Sequence, residues 1–177
     1  MNAIRKTDIE FVVLGTLEPK YQEICSALHF ENVTIVGGYE QEELPELLSK
    51  IDITLHLSIW PETYVISLSE AWAAGAVPIV SDIGALSERV THDVDGFVVP
   101  VNDGGSVVNL INFVFENREV LSRIKSNIVN KKIFNKEEHI TKLTNLYQKL
   151  TISNDSKKVF NVSMRDSDFV FSIEFFC

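Results

Sequence analysis

Short apolar runs alternate along this chain with stretches whose apolar residues recur every three or four positions. Ile9–Leu14 (IEFVVL) runs apolar into Gly15 and predicts a buried strand. Lys20–Leu28 follows with mixed helical spacing, and Val33–Val36 (VTIV) is a second strand closed by Gly37 and Gly38. Glu42–Lys50 carries leucines at 44, 47 and 48, the spacing of an amphipathic helix. Ile51–Leu57 predicts a third strand, and Tyr64–Ala74 a helix that Gly75 stops. Val77–Val80 and Gly96–Val99 are the fourth and fifth strands; Gly105–Glu116 and Lys136–Leu150 are further helices.

Strands that are apolar on both faces and alternate with helices belong to a parallel sheet covered by helices. The expected fold is therefore α/β, a Rossmann-like doubly wound parallel sheet over residues 1–150. Ligands of such folds sit beyond the carboxyl ends of the strands, here the loops after Leu14, Val36, Leu57 and Val80. From Thr151 the pattern changes. Ser153–Lys158 is polar and linker-like, and Val159–Met164 and Phe169–Phe176 are β-prone, so residues 151–177 form a linker and β-type tail.

Bulk chemistry narrows the partners. Of 177 residues 45% are hydrophobic and 23% charged, a soluble globular profile long enough for one buried core. The net charge of −9 lacks the clustered positive field that nucleic acid or an anionic membrane requires. A nucleotide remains compatible, because phosphate sites use backbone N–H groups and one or two basic side chains. No apolar run reaches transmembrane length. Cys25 and Cys177 make no disulfide framework and the four histidines are scattered, so no metal or other cofactor is expected and a cytoplasmic location is.

The chemistry concentrates in Ser58–Gly75, SIWPETYVISLSEAWAAG. Glu62 and Glu70 are separated by seven residues and followed by Ala71-Trp72-Ala73-Ala74-Gly75 and the proline-containing strand at Pro78. Further on come SDIGALSERV (Ser81–Val90) and DGFVVP (Asp95–Pro100). Together these resemble the donor-binding C-terminal domain of retaining glycosyltransferases with the GT-B fold, over roughly Ile9–Leu150. The resemblance implies a nucleotide-sugar donor. The first glutamate, Glu62, would contact donor-sugar hydroxyls as the catalytic-site carboxylate, and Glu70 would accept from the ribose diol. The base and ribose would lie near Gly38 and Tyr39.

The residues themselves accommodate these roles. Pro61 ends the preceding strand, and Thr63 is placed to cap the next helix, leaving the N–H groups of Tyr64, Val65 and Ile66 for a diphosphate. A carboxylate at Glu70, about two helical turns from Glu62, accepts two O–H donors. Three other readings stand beside these: Ser67-Leu68-Ser69-Glu70 also fits a capping box, Glu62 a solvated loop charge, and Gly37-Gly38-Tyr39 an ordinary turn. His56 is read as a structural residue pointing into the core or against a helix, and Asp82 and Glu88 as unassigned loop carboxylates.

Two departures from the family matter. Val65 stands where the family often has glycine. More important, the spacing aligns Ile9–Leu14 with the family's second strand, so the first strand and its basic, diphosphate-binding loop are missing, as is the N-terminal acceptor domain. The missing strand would lie mid-sheet, leaving a gap or pressing Ile9–Leu14 against Ile53–Leu57; Val159–Phe176 is expected to pair as β structure with the domain, at an edge or in that central gap, or with a neighbouring chain, or to begin another domain. The implied activity is sugar transfer with retention in bacterial surface-polysaccharide assembly, with this chain alone inefficient. The alternatives are a non-catalytic nucleotide-binding module and a GT-B-fold sugar-nucleotide epimerase.

Overall fold

A computed structural model describes residues 9–28, 32–131 and 136–152. The tail segments Val159–Met164 and Phe169–Phe176 lie outside the described residues. The chain divides into two compact units, Met1–Ile133 and Phe134–Cys177. In the second, the helix Lys136–Ile152 opens with Glu137 and Glu138 and carries Lys149 in its last turn, charges that complement the helix dipole. No described helix is long and apolar enough to cross a membrane.

The first unit runs β1 (Phe11–Leu14), α1 (Pro19–Leu28), β2 (Val33–Gly37), α2 (Leu44–Ser49), β3 (Ile53–His56), α3 (Ile66–Ala73), β4 (Val77–Ser81), α4 (Gly84–Arg89), β5 (Phe97–Val99), α5 (Gly104–Glu116) and α6 (Arg118–Val129). The alternation is as expected, and every ladder between strands is parallel. Among the described residues the sheet is not continuous: β1 pairs with β2, while β3, β4 and β5 form a separate three-stranded sheet in that order. A cavity of about 260 Å³ separates the two, lined by Phe11, Val12 and Leu14 of β1 and by Ile53, Thr54 and Leu55 of β3. Among the described residues, β1 and β3 share no ladder.

The core sits on the three-stranded side. β4 is buried along its whole length. Its Val77, Ile79 and Val80 pack with Leu68 and Trp72 of α3, Leu86 of α4, Phe97 of β5 and Ile124 and Ile128 of α6. Pro78 in this central strand gives up a ladder donor, and its ring also needs room beside the next strand. A Cβ on Gly96 would lie 2.8 Å from both Pro78 Cγ and the Pro78 carbonyl oxygen. The glycine of DGFVVP thus makes room for the proline of the preceding strand. α5 starts at Asp103, whose side chain accepts from the Ser106 N–H at 3.0 Å.

Two helices escaped the sequence reading. α4 has only six residues, short for any periodicity to register. α6 buries Leu121, Ile124 and Ile128, the helical spacing that marks such a face. Glu88 therefore lies on a helix and not in a loop, whereas Asp82 is in the bend after β4, its N–H donating to the Val99 carbonyl at 2.8 Å.

Candidate functional site

The loop from Ser58 to Val65 and the helix α3 behind it carry most of the predicted residues. Ser58 Oγ accepts from the Trp60 N–H at 3.2 Å, and its single hydroxyl hydrogen faces two acceptors, the Trp60 carbonyl at 3.1 Å and Glu62 Oε1 at 3.3 Å. The Glu62 carbonyl accepts from the Ala85 N–H at 3.1 Å. That approach needs a glycine next door. Gly84 has φ +52°, and a Cβ there would meet the Glu62 carbonyl oxygen at 3.0 Å and Pro61 Cα at 3.2 Å. The start of α4 is thus the seat on which Glu62 rests, a role that SDIGALSERV carried without announcing it.

The helix start expected at Thr63 is not observed. α3 begins at Ile66, its N-cap is Val65, and no side chain caps it. Val65 has φ 62° and ψ 81°, so the chain turns left-handed immediately before the helix. Thr63 and Tyr64 precede the helix instead of opening it. The amides left without an intrahelical acceptor are accordingly those of Ile66 and Ser67, since the Leu68 N–H already donates to the Val65 carbonyl at 3.2 Å. The capping-box reading of Glu70 also falls, because Glu70 is in the body of α3 and its carbonyl accepts from the Ala74 N–H at 3.0 Å. Gly75, at φ +77°, ends the helix as its position predicts.

Glu70 is half-buried, and its Oε1 accepts from Gln41 Nε2 at 3.2 Å. Gln41 closely follows Gly37-Gly38-Tyr39 at the carboxyl end of β2. The contact brings the second glutamate to the side of the fold where Gly38 and Tyr39 stand. Trp60, Tyr64 and Ile66 leave much of their area exposed along the same stretch, at 72%, 50% and 68%.

His56, at the end of β3, does lie against a helix. Its Nδ1 is 3.4 Å from Ser67 Oγ of α3 and its Nε2 3.1 Å from Thr54 Oγ1. Burial lowers its pKa to about 4, so the ring is neutral at pH 7 and offers no positive charge to a phosphate. A native pKa below the unfolded value near 6.5 means that only the unfolded chain takes up this proton between those limits. Stability from this group is therefore complete above pH 6.5 and lost as the pH falls toward 4. The loss amounts to at most about 3 kcal/mol. Urea titrations at several pH values should show a shallower acid slope for His56→Asn than for the parent chain, and parallel slopes would contradict this.

Arg89 was not singled out in the sequence, although it lies inside SDIGALSERV. It reaches from the last turn of α4 to the carbonyls of Tyr64 and Val65 and to Ser69 Oγ. Sequence proximity offers no sign of this, because the partners are 20 to 25 residues away.

Comparison with known proteins places these features in a family. The family model described as glycosyl transferases group 1 matches residues 1–131. A UDP-Gal:alpha-D-GlcNAc-diphosphoundecaprenol alpha-1,3-galactosyltransferase of Escherichia coli is 28% identical over 154 residues, covering 82% of this chain and 38% of the relative. Among solved structures, a glycosyltransferase of Rickettsia africae superimposes with a TM-score of 0.70 at 20% identity, covering 84% of this chain and 41% of the other. Anabaena HepE in complex with UDP gives a TM-score of 0.62 at 20% identity, covering 85% and 42%. The chain thus spans about two fifths of the length of these proteins, and the shared fold is the Rossmann-like α/β domain of GT-B glycosyltransferases. The match of the family model over most of the chain makes it a member of the glycosyl transferases group 1 family.

Proposed function

We propose that this chain is the donor-binding half of a retaining glycosyltransferase, which moves a sugar from a nucleotide donor in the assembly of a bacterial surface polysaccharide. The observation that carries the reading is the Gln41–Glu70 contact, which sets the carboxylate of α3 beside the loop after β2. Glu70 accepts from the ribose diol, with Gly38 and Tyr39 beside the base. The N–H groups of Ile66 and Ser67 face the diphosphate, replacing in this role those of Tyr64 and Val65. Glu62, held by Ser58 and by the start of α4, contacts the hydroxyls of the donor sugar. A protein of this kind needs no resident cofactor, works where nucleotide sugars are made, in the cytoplasm, and completes its site with an acceptor domain. The exposed Trp60, Tyr64 and Ile66 support this last point, since such apolar area beside a polar site suits a covering surface.

UDP, which the Anabaena neighbour binds, is a suitable probe. Glu70→Ala should weaken UDP binding by about ten- to a hundredfold in calorimetry, the cost of about 1.5–3 kcal/mol for a lost charge-assisted hydrogen bond. Equal affinity for the two proteins would remove Glu70 from the ribose.

A further inference from the structure

Val65 is the least comfortable residue of the donor loop. A β-branched side chain at φ 62° lies in a region that suits glycine, and no side-chain cap supports the helix that follows. Such a conformation persists only where its surroundings hold it. The Val65 side chain packs against the apolar cluster and its carbonyl accepts from the Leu68 N–H, but what reaches the turn from another helix is one side chain. Arg89 Nη1 donates to the carbonyls of both Tyr64 and Val65, at 2.9 Å for the latter, and Nη2 donates to Ser69 Oγ at 2.7 Å. Its guanidinium also lies 4.1 Å from the centre of the Tyr64 ring and 5.3 Å from that of Trp72. One planar group therefore holds the two residues before α3, its first turn at Ser69 and its last turn at Trp72. Lys131 secures the base of this clamp, its Nζ donating to the Arg89 carbonyl at 3.3 Å and to Asp95 Oδ2 at 2.5 Å.

We propose that Arg89 is a positioning residue of the donor site: it locks Val65 left-handed and so aims the Ile66 and Ser67 amides at the diphosphate of the nucleotide. This rests on the donor-site reading given above. The guanidinium donates to the Tyr64 and Val65 carbonyls and to Ser69 Oγ, and through these contacts it acts on the backbone geometry of the turn. A lysine offers a point charge where a planar fork is needed, and does not substitute.

The test uses the full chain, UDP as probe, and the variants Arg89→Gln, Arg89→Lys, Val65→Gly, Val65→Gly with Arg89→Gln, and Glu70→Ala. Arg89→Gln and Arg89→Lys should each lose about tenfold or more in UDP affinity, the scale of a lost charge-assisted contact. Glycine adopts the left-handed turn unaided, so adding Val65→Gly to Arg89→Gln should restore most of that affinity. A double variant as weak as Arg89→Gln would overturn the proposal, as would parent-like binding by Arg89→Gln in a protein that Glu70→Ala weakens. If Glu70→Ala binds UDP like the parent, it is the donor-site reading that fails. The clamp is then judged by amide exchange over residues 61–72 without nucleotide. Faster exchange in Arg89→Lys, reversed by Val65→Gly, supports it, and unchanged exchange refutes it.

Discussion

Trp72→Ala should remove about 3–5 kcal/mol of stability, the usual cost of emptying a buried aromatic site. Trp72 is 3% exposed on the last turn of α3, within the cluster formed by β4, β5 and α6. Its indole N–H donates to the Asp95 carbonyl at 2.8 Å, and Lys131 Nζ lies 3.9 Å above the ring. Lys131 and Asp95 are themselves largely buried, with side-chain exposures of 24% and 12%. Truncation therefore leaves a cavity, an unpaired carbonyl and a partly desolvated ion pair that has lost its cover. Against a total of about 5–15 kcal/mol for a typical domain, a loss of this size moves many molecules into the unfolded state. Trp72→Phe keeps most of the apolar area but not the N–H, and should cost about 1–3 kcal/mol, the penalty for an orphaned buried acceptor. Urea denaturation of the two variants checks both numbers. A Trp72→Ala protein within about 1 kcal/mol of the parent would show that the site relaxes around the gap, a far cheaper outcome than core truncations usually give.

Much of this fold was legible because its signals are local. Each predicted strand of the first unit exists, since an apolar run ended by glycine is a short-range pattern. Gly75 stops α3 through its own backbone freedom. The family was legible for another reason: the spacing of the glutamates, their flanks and the later glycine motifs agree on one family, whose model matches residues 1–131. The start of α3 was misplaced because its cause is not local. Thr63 has the chemistry of a cap, yet Arg89, from a different helix, holds the Tyr64 and Val65 carbonyls and delays the helix to Ile66. The fit of Gly96 against Pro78 is equally invisible in one dimension, because it exists only once β5 lies beside β4. The helix α6 is a different case, with a plain pattern of Leu121, Ile124 and Ile128 that the strand-centred reading passed over.

The gap in the sheet should make the first unit open in two steps. β1 and β2 form a two-stranded sheet, and isolated pairs of strands are marginal in water. Their burial is poor: β1 is only half-buried throughout, and Ile35 and Val36 of β2 are 43% and 40% exposed. The pair is further interrupted by a register shift between Val13 and Leu14. None of its residues belongs to the fully buried cluster, to which Phe11 adds only a partly buried side chain. β4, by contrast, has a paired strand on either side and is buried at every position. Amides of β4 should therefore exchange with solvent only when the whole unit unfolds. Those of β1 and β2 should exchange through a local opening about 3–4 kcal/mol cheaper, hence two to three orders of magnitude faster. Hydrogen exchange followed by mass spectrometry separates peptides spanning residues 11–14 and 33–37 from those spanning 77–81. Equal protection in the two sets would mean that the sheets unfold as one body despite the cavity, and that contacts across the gap are as strong as a ladder. Faster exchange confined to β1 and β2 is the expected result, its causes being the poor burial of this pair and the absence, among the described residues, of a ladder between β1 and β3.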